Sequence, residues 1–181
     1  MERRFTRLRP GDGPKEPGFY EVPTDGMCLS TFLILERPGR PNEVLLGRLD
    51  PSAPWLELGA LEGPRVATIG TRWMLPSSHL LFFEAPEEAA RRIVREQLET
   101  ELDELPAPLV VSEAHRRPNS SAADPHWDLG FIFRTPWPRP EPPRARAWKE
   151  LGFVDVRTLP RGEIARAQGD ILELAGLPPK D

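Results

Sequence analysis

Cysteine is almost absent from this 181-residue sequence, in which Cys28 is the single example. One thiol cannot form a disulfide within the chain, and no arrangement of Cys and His has the spacing of a structural zinc site. Cys28 lies inside an apolar run without an adjacent base, which is typical of a small buried side chain and not of a nucleophile. These absences favour a reducing compartment, and we expect a cytoplasmic protein.

Long apolar segments and an excess of basic charge are also lacking. No stretch approaches the roughly 20 apolar residues of a membrane-spanning helix. The N-terminal residues MERRFTRLRP contain no apolar core of a signal peptide. The formal net charge is −4, whereas DNA and anionic membranes attract a basic surface. We therefore expect neither a membrane nor nucleic acid as a direct partner.

Proline and aromatic residues are well represented. The 23 Pro and 14 Gly mark loops and linkers, and five Trp with eight Phe supply enough apolar surface for one core. The sequence predicts an N-terminal arm over residues 1–25 and a single domain over 26–181. A Pro/Arg-rich linker or insertion at about 136–147 interrupts that domain.

The order of apolar runs predicts an α+β fold. Predicted strands cover residues 27–35, 43–49, 66–75, 108–115, 126–134 and 149–160, and predicted helices cover 86–105 and 162–176. The first two strands form a hairpin, and 50–64 is a loop with a buried Trp55. Strands, one long helix, strands and a final helix together imply a mixed sheet with helices on its faces.

The long helix has the clearest pattern. Pro86 suits a first helical turn, and apolar residues recur every four positions at Ala90, Val94, Leu98 and Leu102. We expect this stripe to face the core, while Arg92 and Glu96 face a cleft or solvent. The final helix is predicted to end at Gly176.

The segment PSSHLLFFEAPEEAARRIVREQ resembles the signature of the Nudix hydrolase superfamily, the Nudix box G-x5-E-x7-R-E-U-x-E-E-x-G-U, in which U is aliphatic. Ser78 stands at the first Gly, Glu84 at the loop Glu, Arg92 at the Arg, Val94 at the aliphatic position and Glu96 at the first Glu of the pair. The resemblance implies an α/β/α sandwich with a mixed β-sheet. It also implies hydrolysis of a nucleoside diphosphate linked to another group, with Mg or Mn held by the box glutamates.

This box is degenerate. Ile93 replaces the Glu after the Arg, Gln97 replaces the second Glu of the pair, and Glu99 replaces the second Gly. Ile cannot bind a metal and Gln offers only a neutral oxygen, so two negative charges are missing where charge sets cation affinity. The interpretation is a weakened or lost pyrophosphohydrolase that serves as a nucleotide-related binding or interaction module.

The alternative is a working hydrolase. By the resemblance, Glu84, Arg92 and Glu96 would then be catalytic, with Glu96 and Glu99 holding Mg or Mn. A box frame shifted by three residues also stays open, because it places Glu87 at the loop Glu and puts Glu96 and Glu99 at metal positions.

Candidate substrate contacts follow the helix in sequence. Trp127 could stack on a base, and His126 and Asp128 could line the same site or activate water. His115 and Asp124 are further candidates for the water-activating residue, and an ordinary surface role stays open for all of these. The expected partner is a nucleotide-type small molecule, and a homodimer is left open.

Overall fold

The computed structural model describes residues 7–8, 27–115, 126–165 and 168–181. Its sheet is built around the predicted hairpin: β2 is Met27–Arg37 and β3 is Arg40–Leu49, paired antiparallel, while β1, Arg7–Leu8, pairs with the start of β2. Gly39 has a φ of 71° in the turn between β2 and β3. Glycine adopts this conformation without steric cost, which explains the sharp reversal. The hairpin prediction is confirmed.

Four further strands complete a mixed sheet. They are β4, Ser77–His79; β5, Leu109–His115; β6, His126–Pro136; and β7, Trp148–Asp155. The main strand order is β5-β6-β2-β3-β7, and β1 and β4 also pair with β2. Among the pairs formed by these described strands, β2–β6 is parallel and the other five are antiparallel. The sequence prediction of a mixed sheet is therefore confirmed.

Helices cover both faces of this sheet. They are α1, Trp55–Gly59; α2, Gly63–Ile69; α3, Pro86–Gln97; and α4, Gln168–Leu174. On one face Leu33 and Phe133 pack with Ile93 of α3, and on the other Ile34 and Ile132 pack with α4. This is the α/β/α sandwich that the resemblance implies. Among the described residues, no helix combines the length and apolarity that crossing a membrane requires.

The region before β4 departs from the sequence prediction. Residues 66–69 were predicted as part of a strand but belong to α2, and the predicted loop at 50–64 contains α1. Pro64 stands in the first turn of α2, where its missing N–H costs nothing. The β-branched Val66 and Thr68 suggest a strand, but the helix buries Val66 against the core. Trp55 is buried as predicted and donates from Nε1 to Asp50 O at 2.9 Å.

The long helix ends earlier than predicted, at Gln97 and not at about Leu105. Glu99 has a φ of 51°, a left-handed conformation that stops a helix. The N–H of Thr100 turns back to Val94 O at 3.4 Å. Leu98 and Leu102 stay buried although the helix has ended, so the apolar stripe is confirmed while the helix boundary is wrong.

The last third of the chain shortens both the predicted strand at 149–160, which ends at Asp155, and the predicted helix. The predicted helix at 162–176 consists of a 3-10 turn, Arg161–Glu163, followed by α4, and Gly176 ends it with a φ of 77°. The Pro/Arg-rich linker packs on the domain, because Trp137 is buried and its backbone N–H donates to Glu36 O at 2.7 Å. Apart from β1, the predicted N-terminal arm lies outside the described residues.

Candidate functional site

A buried ion pair joins the loop after β4 to α3. The Arg92 guanidinium donates from Nε and Nη2 to the two carboxylate oxygens of Glu84, at 2.7 and 2.8 Å. Nη2 also donates to His79 O and Nη1 to Ser78 Oγ. The structure thus brings together two of the predicted catalytic residues, Glu84 and Arg92, as a brace that shapes the loop.

The predicted orientation of Arg92 is wrong, because its side chain is buried and points neither into an open cleft nor into solvent. The predicted burial of Ala90, Val94 and Leu98 is confirmed. A guanidinium tolerates burial when oxygen atoms take its N–H donors, and here a carboxylate, a carbonyl oxygen and a hydroxyl do so.

The geometry bears on the choice between the two box frames. In the unshifted frame the Arg should meet the loop Glu, and Arg92 does meet Glu84. The second Gly position is filled by Glu99, whose positive φ is the conformation that glycine favours. The shifted frame would pair Glu87 with Arg95, but both residues lie exposed on α3. The geometry therefore favours the unshifted frame.

The two substituted carboxylate positions are built into the core. Ile93 and Gln97 are both 0% exposed. The Gln97 Oε1 accepts from Ser77 N at 3.2 Å, and Nε2 donates to Leu58 O at 2.9 Å and to Ser77 O at 2.8 Å. Every polar atom of this amide is used, so Gln97 clamps α1 and β4 to α3. Trp148 adds a hydrogen bond from Nε1 to Gln97 O at 2.7 Å.

The two predicted metal ligands have different surroundings. Glu96 is half-buried in the last turn of α3. Glu99 lies beyond the helix end, where its Oε1 accepts from Arg146 N at 2.9 Å and Nε at 3.0 Å. Donation from the Arg146 backbone N–H, and then from its side chain, holds the pKa of the Glu99 carboxyl below its usual value. Glu99 is thus engaged by the linker.

These side chains do not fit a catalytic cation. Mg²⁺ and Mn²⁺ take oxygen ligands in a regular arrangement, in which one or two protein carboxylates are usually completed by waters and substrate phosphates. The resemblance assigns carboxylates to three helix positions, and of these only the Glu96 position has a carboxylate. Ile93 and Gln97 occupy the other two positions and are buried in the core. Within the described ranges, no three Asp, Glu, His or Cys side chains converge on a common point.

The predicted substrate contacts lie on β6, beside β2 and β5. His126 pairs in register with His115, Trp127 with Ala114, and Asp128 with Glu113. Alternation along β6 places Asp128 on the sheet face of Ile132, opposite the face that α3 covers. The side chains of His126, Trp127 and His115, and all of Asp124, lie outside the described part. Their roles stay predictions.

Sequence reasoning missed two features of this region. One is the clamp made by Gln97, whose partners Leu58 and Ser77 carry no sequence signal because they contribute backbone atoms. The other is a pair of exposed rings, Phe82 and Phe83, in the loop before α3. Two adjacent Phe outside any apolar periodicity were a detectable signal for a surface role.

Solved structures share this fold at low sequence identity. A MutT Nudix hydrolase from Burkholderia pseudomallei is 19% identical, with a TM-score of 0.52 over 81% of this chain and 96% of that chain. The E. coli ORF135 protein is 16% identical, with a TM-score of 0.50 over 83% and 90% of the two chains. No family model and no curated protein matches the sequence. The chain has the fold of the Nudix hydrolases.

Proposed function

We propose that this Nudix-fold protein has lost metal-dependent pyrophosphohydrolase activity and works as a nucleotide-related binding module. The observation that carries the proposal is the buried Gln97 amide, whose oxygen and nitrogen are all hydrogen-bonded to backbone groups. A side chain held in this way cannot turn to bind a cation without breaking the contact between α1, β4 and α3.

The neighbouring groups support the same conclusion. Ile93 is fully buried and brings no oxygen atom. Both carboxylate oxygens of Glu84 accept hydrogen bonds from Arg92, and Glu99 accepts two hydrogen bonds from Arg146. A working hydrolase built on these glutamates would have to share their carboxylates with Arg92 and Arg146, which disfavours that alternative. The loop before α3 and α3 itself are still held together, because the Glu84–Arg92 ion pair joins them.

The proposed ligand class follows from the resemblance and from β6. Trp127 offers a ring for stacking on a base. His126 and Asp128 offer polar contacts, and because they alternate with Trp127 along β6 they would reach a ligand from the other face of the sheet. This role needs no metal, because recognition of a base and sugar uses stacking and hydrogen bonds.

Hydrolysis and metal binding are the first tests. The protein and its Glu96→Gln variant are incubated with a panel of nucleoside diphosphate derivatives and Mg²⁺ or Mn²⁺, and each metal is titrated by calorimetry. We expect no cleavage above the variant's background and no binding above that of the variant. Metal-dependent cleavage that Glu96→Gln abolishes would overturn the proposed loss of activity.

Binding is tested separately, with a chelator present. ADP, GDP, CDP and UDP are titrated into the wild type and Trp127→Ala. Since stacking on an aromatic ring contributes about 1–3 kcal/mol per base, we expect at least one nucleotide to bind and to weaken about tenfold in the variant. Absence of binding by all four would overturn the nucleotide-binding part of the proposal.

A further inference from the structure

The loop before α3 presents two phenylalanine rings to solvent. Phe82 is 64% exposed and Phe83 is 92% exposed. Their ring centroids lie 4.2 Å apart with an interplanar angle of 64°, an edge-to-face contact. A solvent-exposed aromatic pair contributes little burial to the core, and such pairs are typical anchors of interfaces.

The backbone that carries these rings is strained and firmly held. Phe83 has a φ of 65°, a left-handed conformation that a bulky residue adopts only at an energetic cost. The turn is closed by hydrogen bonds from Glu84 N to Leu81 O at 3.1 Å and from Leu81 N to Glu84 Oε2 at 2.8 Å. Since Arg92 fixes Glu84, the rings stand on a rigid support. A rigid anchor loses little conformational entropy on binding.

Positive charge surrounds the rings. Phe82 and Phe83 line a shallow pocket of about 420 Å³ together with Glu84, Glu88, Arg91 and Arg95. Glu88 accepts from Ala85 N, and Arg91 donates only to the backbone oxygens of residues 102 and 103. In the described part of the chain no carboxylate forms an ion pair with Arg91 or Arg95. The Glu84 charge is paired with Arg92, so the two guanidinium charges of Arg91 and Arg95 outweigh the remaining carboxylate, Glu88, at this pocket.

This surface lies on a different face of α3 from Ile93 and Gln97, two helix positions that the resemblance assigns to metal ligands. Glu88, Arg91 and Arg95 follow the i, i+3, i+7 spacing of one exposed helix face. Ile93 and Gln97 lie on the buried face, against the sheet and α1. A partner bound to this exposed face would not contact the buried face of α3, which packs on the sheet and on α1.

We propose that Phe82, Phe83, Arg91 and Arg95, the Phe82–Phe83 surface, dock an acidic peptide segment of a protein partner. An apolar side chain of that segment packs on the two rings, while its carboxylates pair with the guanidinium groups. Phe and Arg are enriched at the centres of protein interfaces, in agreement with this combination. This inference rests on the proposed function, because it names a protein partner for a chain that we propose to be a binding module.

The test uses a displayed library of random peptides, selected on the wild-type protein. Selected peptides are synthesised and titrated by calorimetry into the wild type, Phe83→Gly and Arg95→Glu. We expect selected peptides to combine Asp or Glu with a large apolar residue, and both variants to weaken binding at least about tenfold. Higher salt should weaken binding further.

Matched variants separate binding from folding. Leu174→Ala and Arg72→Glu change an exposed apolar and an exposed basic residue that do not line the pocket, and should bind the peptides like the wild type. Phe83→Gly suits the positive φ, so its stability should equal or exceed that of the wild type. A clear loss of stability would instead assign Phe83 a role in folding and overturn the proposal.

Three further outcomes would overturn it: no selected peptide, peptides without acidic residues, or binding unchanged in Phe83→Gly. A wild-type dimer that Phe83→Gly converts to a monomer would assign the surface to a second copy of the chain, and would also overturn it. None of these results bears on nucleotide binding or metal-dependent cleavage, so a failure here is distinguishable from a failure of the proposed function.

Discussion

Gln97 stands where the resemblance places a metal-binding carboxylate, but its side chain holds elements of the core together instead. Its Nε2 donates to Leu58 O and Ser77 O, and a carboxylate at this position has no proton to donate. Gln97→Glu would place a charge against two carbonyl oxygens in the core. We expect the free energy of unfolding to fall by about 3 kcal/mol or more, measured by urea denaturation at neutral pH.

The control for this prediction is Glu104→Gln, an exposed substitution expected to stay within about 0.5 kcal/mol of the wild type. The deficit of Gln97→Glu should shrink as the pH falls toward the ordinary pKa of a glutamate, because a neutral carboxylic acid can donate to one of the carbonyls. Equal stability of Gln97→Glu and the wild type at neutral pH would contradict the clamp.

Glu99 gives a prediction about pH. Its pKa in the folded state is below the unfolded value, chiefly because the Arg146 backbone N–H donates to the carboxylate. A lowered folded-state pKa adds stability that is fully present above the unfolded pKa, about 4.3, and is lost as the pH falls through the folded value. The stability gap between wild type and Glu99→Gln should therefore be largest near neutral pH and vanish in acid.

Arg146→Gln provides the reference for the Glu99 prediction. This change removes the side-chain donor but keeps the backbone N–H, so Glu99→Gln should cost less stability in the Arg146→Gln background than in the wild type, without becoming neutral. Unfolding curves at about pH 7 and about pH 3 supply the comparison. A gap that grows in acid would mean that the sign is wrong.

Single positions of the candidate site could be predicted from the sequence only in part. The box spacing singled out Glu84 and Arg92 as candidate site residues but did not pair them, and the ion pair between them is a finding of the structure. The spacing could not reveal that Arg92 is buried, since that depends on the His79 carbonyl oxygen and the Ser78 hydroxyl of the preceding strand. Backbone partners leave no mark in a sequence, and the Gln97 clamp was missed for the same reason.

At the scale of elements, the Glu84–Arg92 pair holds the loop to α3. The Arg92 and Glu84 side chains are 5% and 10% exposed, so removing either leaves a largely buried charge. We expect Arg92→Met and Glu84→Gln each to lower the free energy of unfolding by about 3 kcal/mol. The double variant should lose less than the sum of the two, because the charges are removed together. Additive losses in urea unfolding would argue against a direct pair.

Element boundaries were the weakest part of the sequence prediction. Apolar periodicity continued past Gln97 through Leu98 and Leu102, so it suggested a longer helix than α3. The chain buries these leucines from an irregular segment after the helix end, which a periodicity argument cannot distinguish from another helical turn. Similarly, α1 and α2 are short, and their stability comes from packing of Trp55 and Val66 on the core.

At the scale of the whole molecule, the three-layer order was predictable because alternating strand and helix patterns leave few ways to cover both faces of a sheet. What holds the layers in register was not predictable. Gln97 reaches Ser77 from the α3 layer, and Gln168 reaches the same segment from the α4 layer. The Gln168 Oε1 accepts from Leu75 N at 2.6 Å, and Nε2 donates to Ser77 Oγ at 3.1 Å.

This shared segment predicts energetic coupling between the two helix layers. Gln97→Met and Gln168→Met each keep the side-chain volume but remove the hydrogen bonds, and once one clamp is lost the segment can shift and weaken the other. We expect the double variant to be less destabilised than the sum of the singles, by about 0.5–3 kcal/mol in urea unfolding. Thr68→Ala, whose hydroxyl donates to Pro64 O and shares no partner with Gln168, should combine additively with Gln168→Met. Additivity of the two glutamine variants would mean that each clamp acts within its own layer.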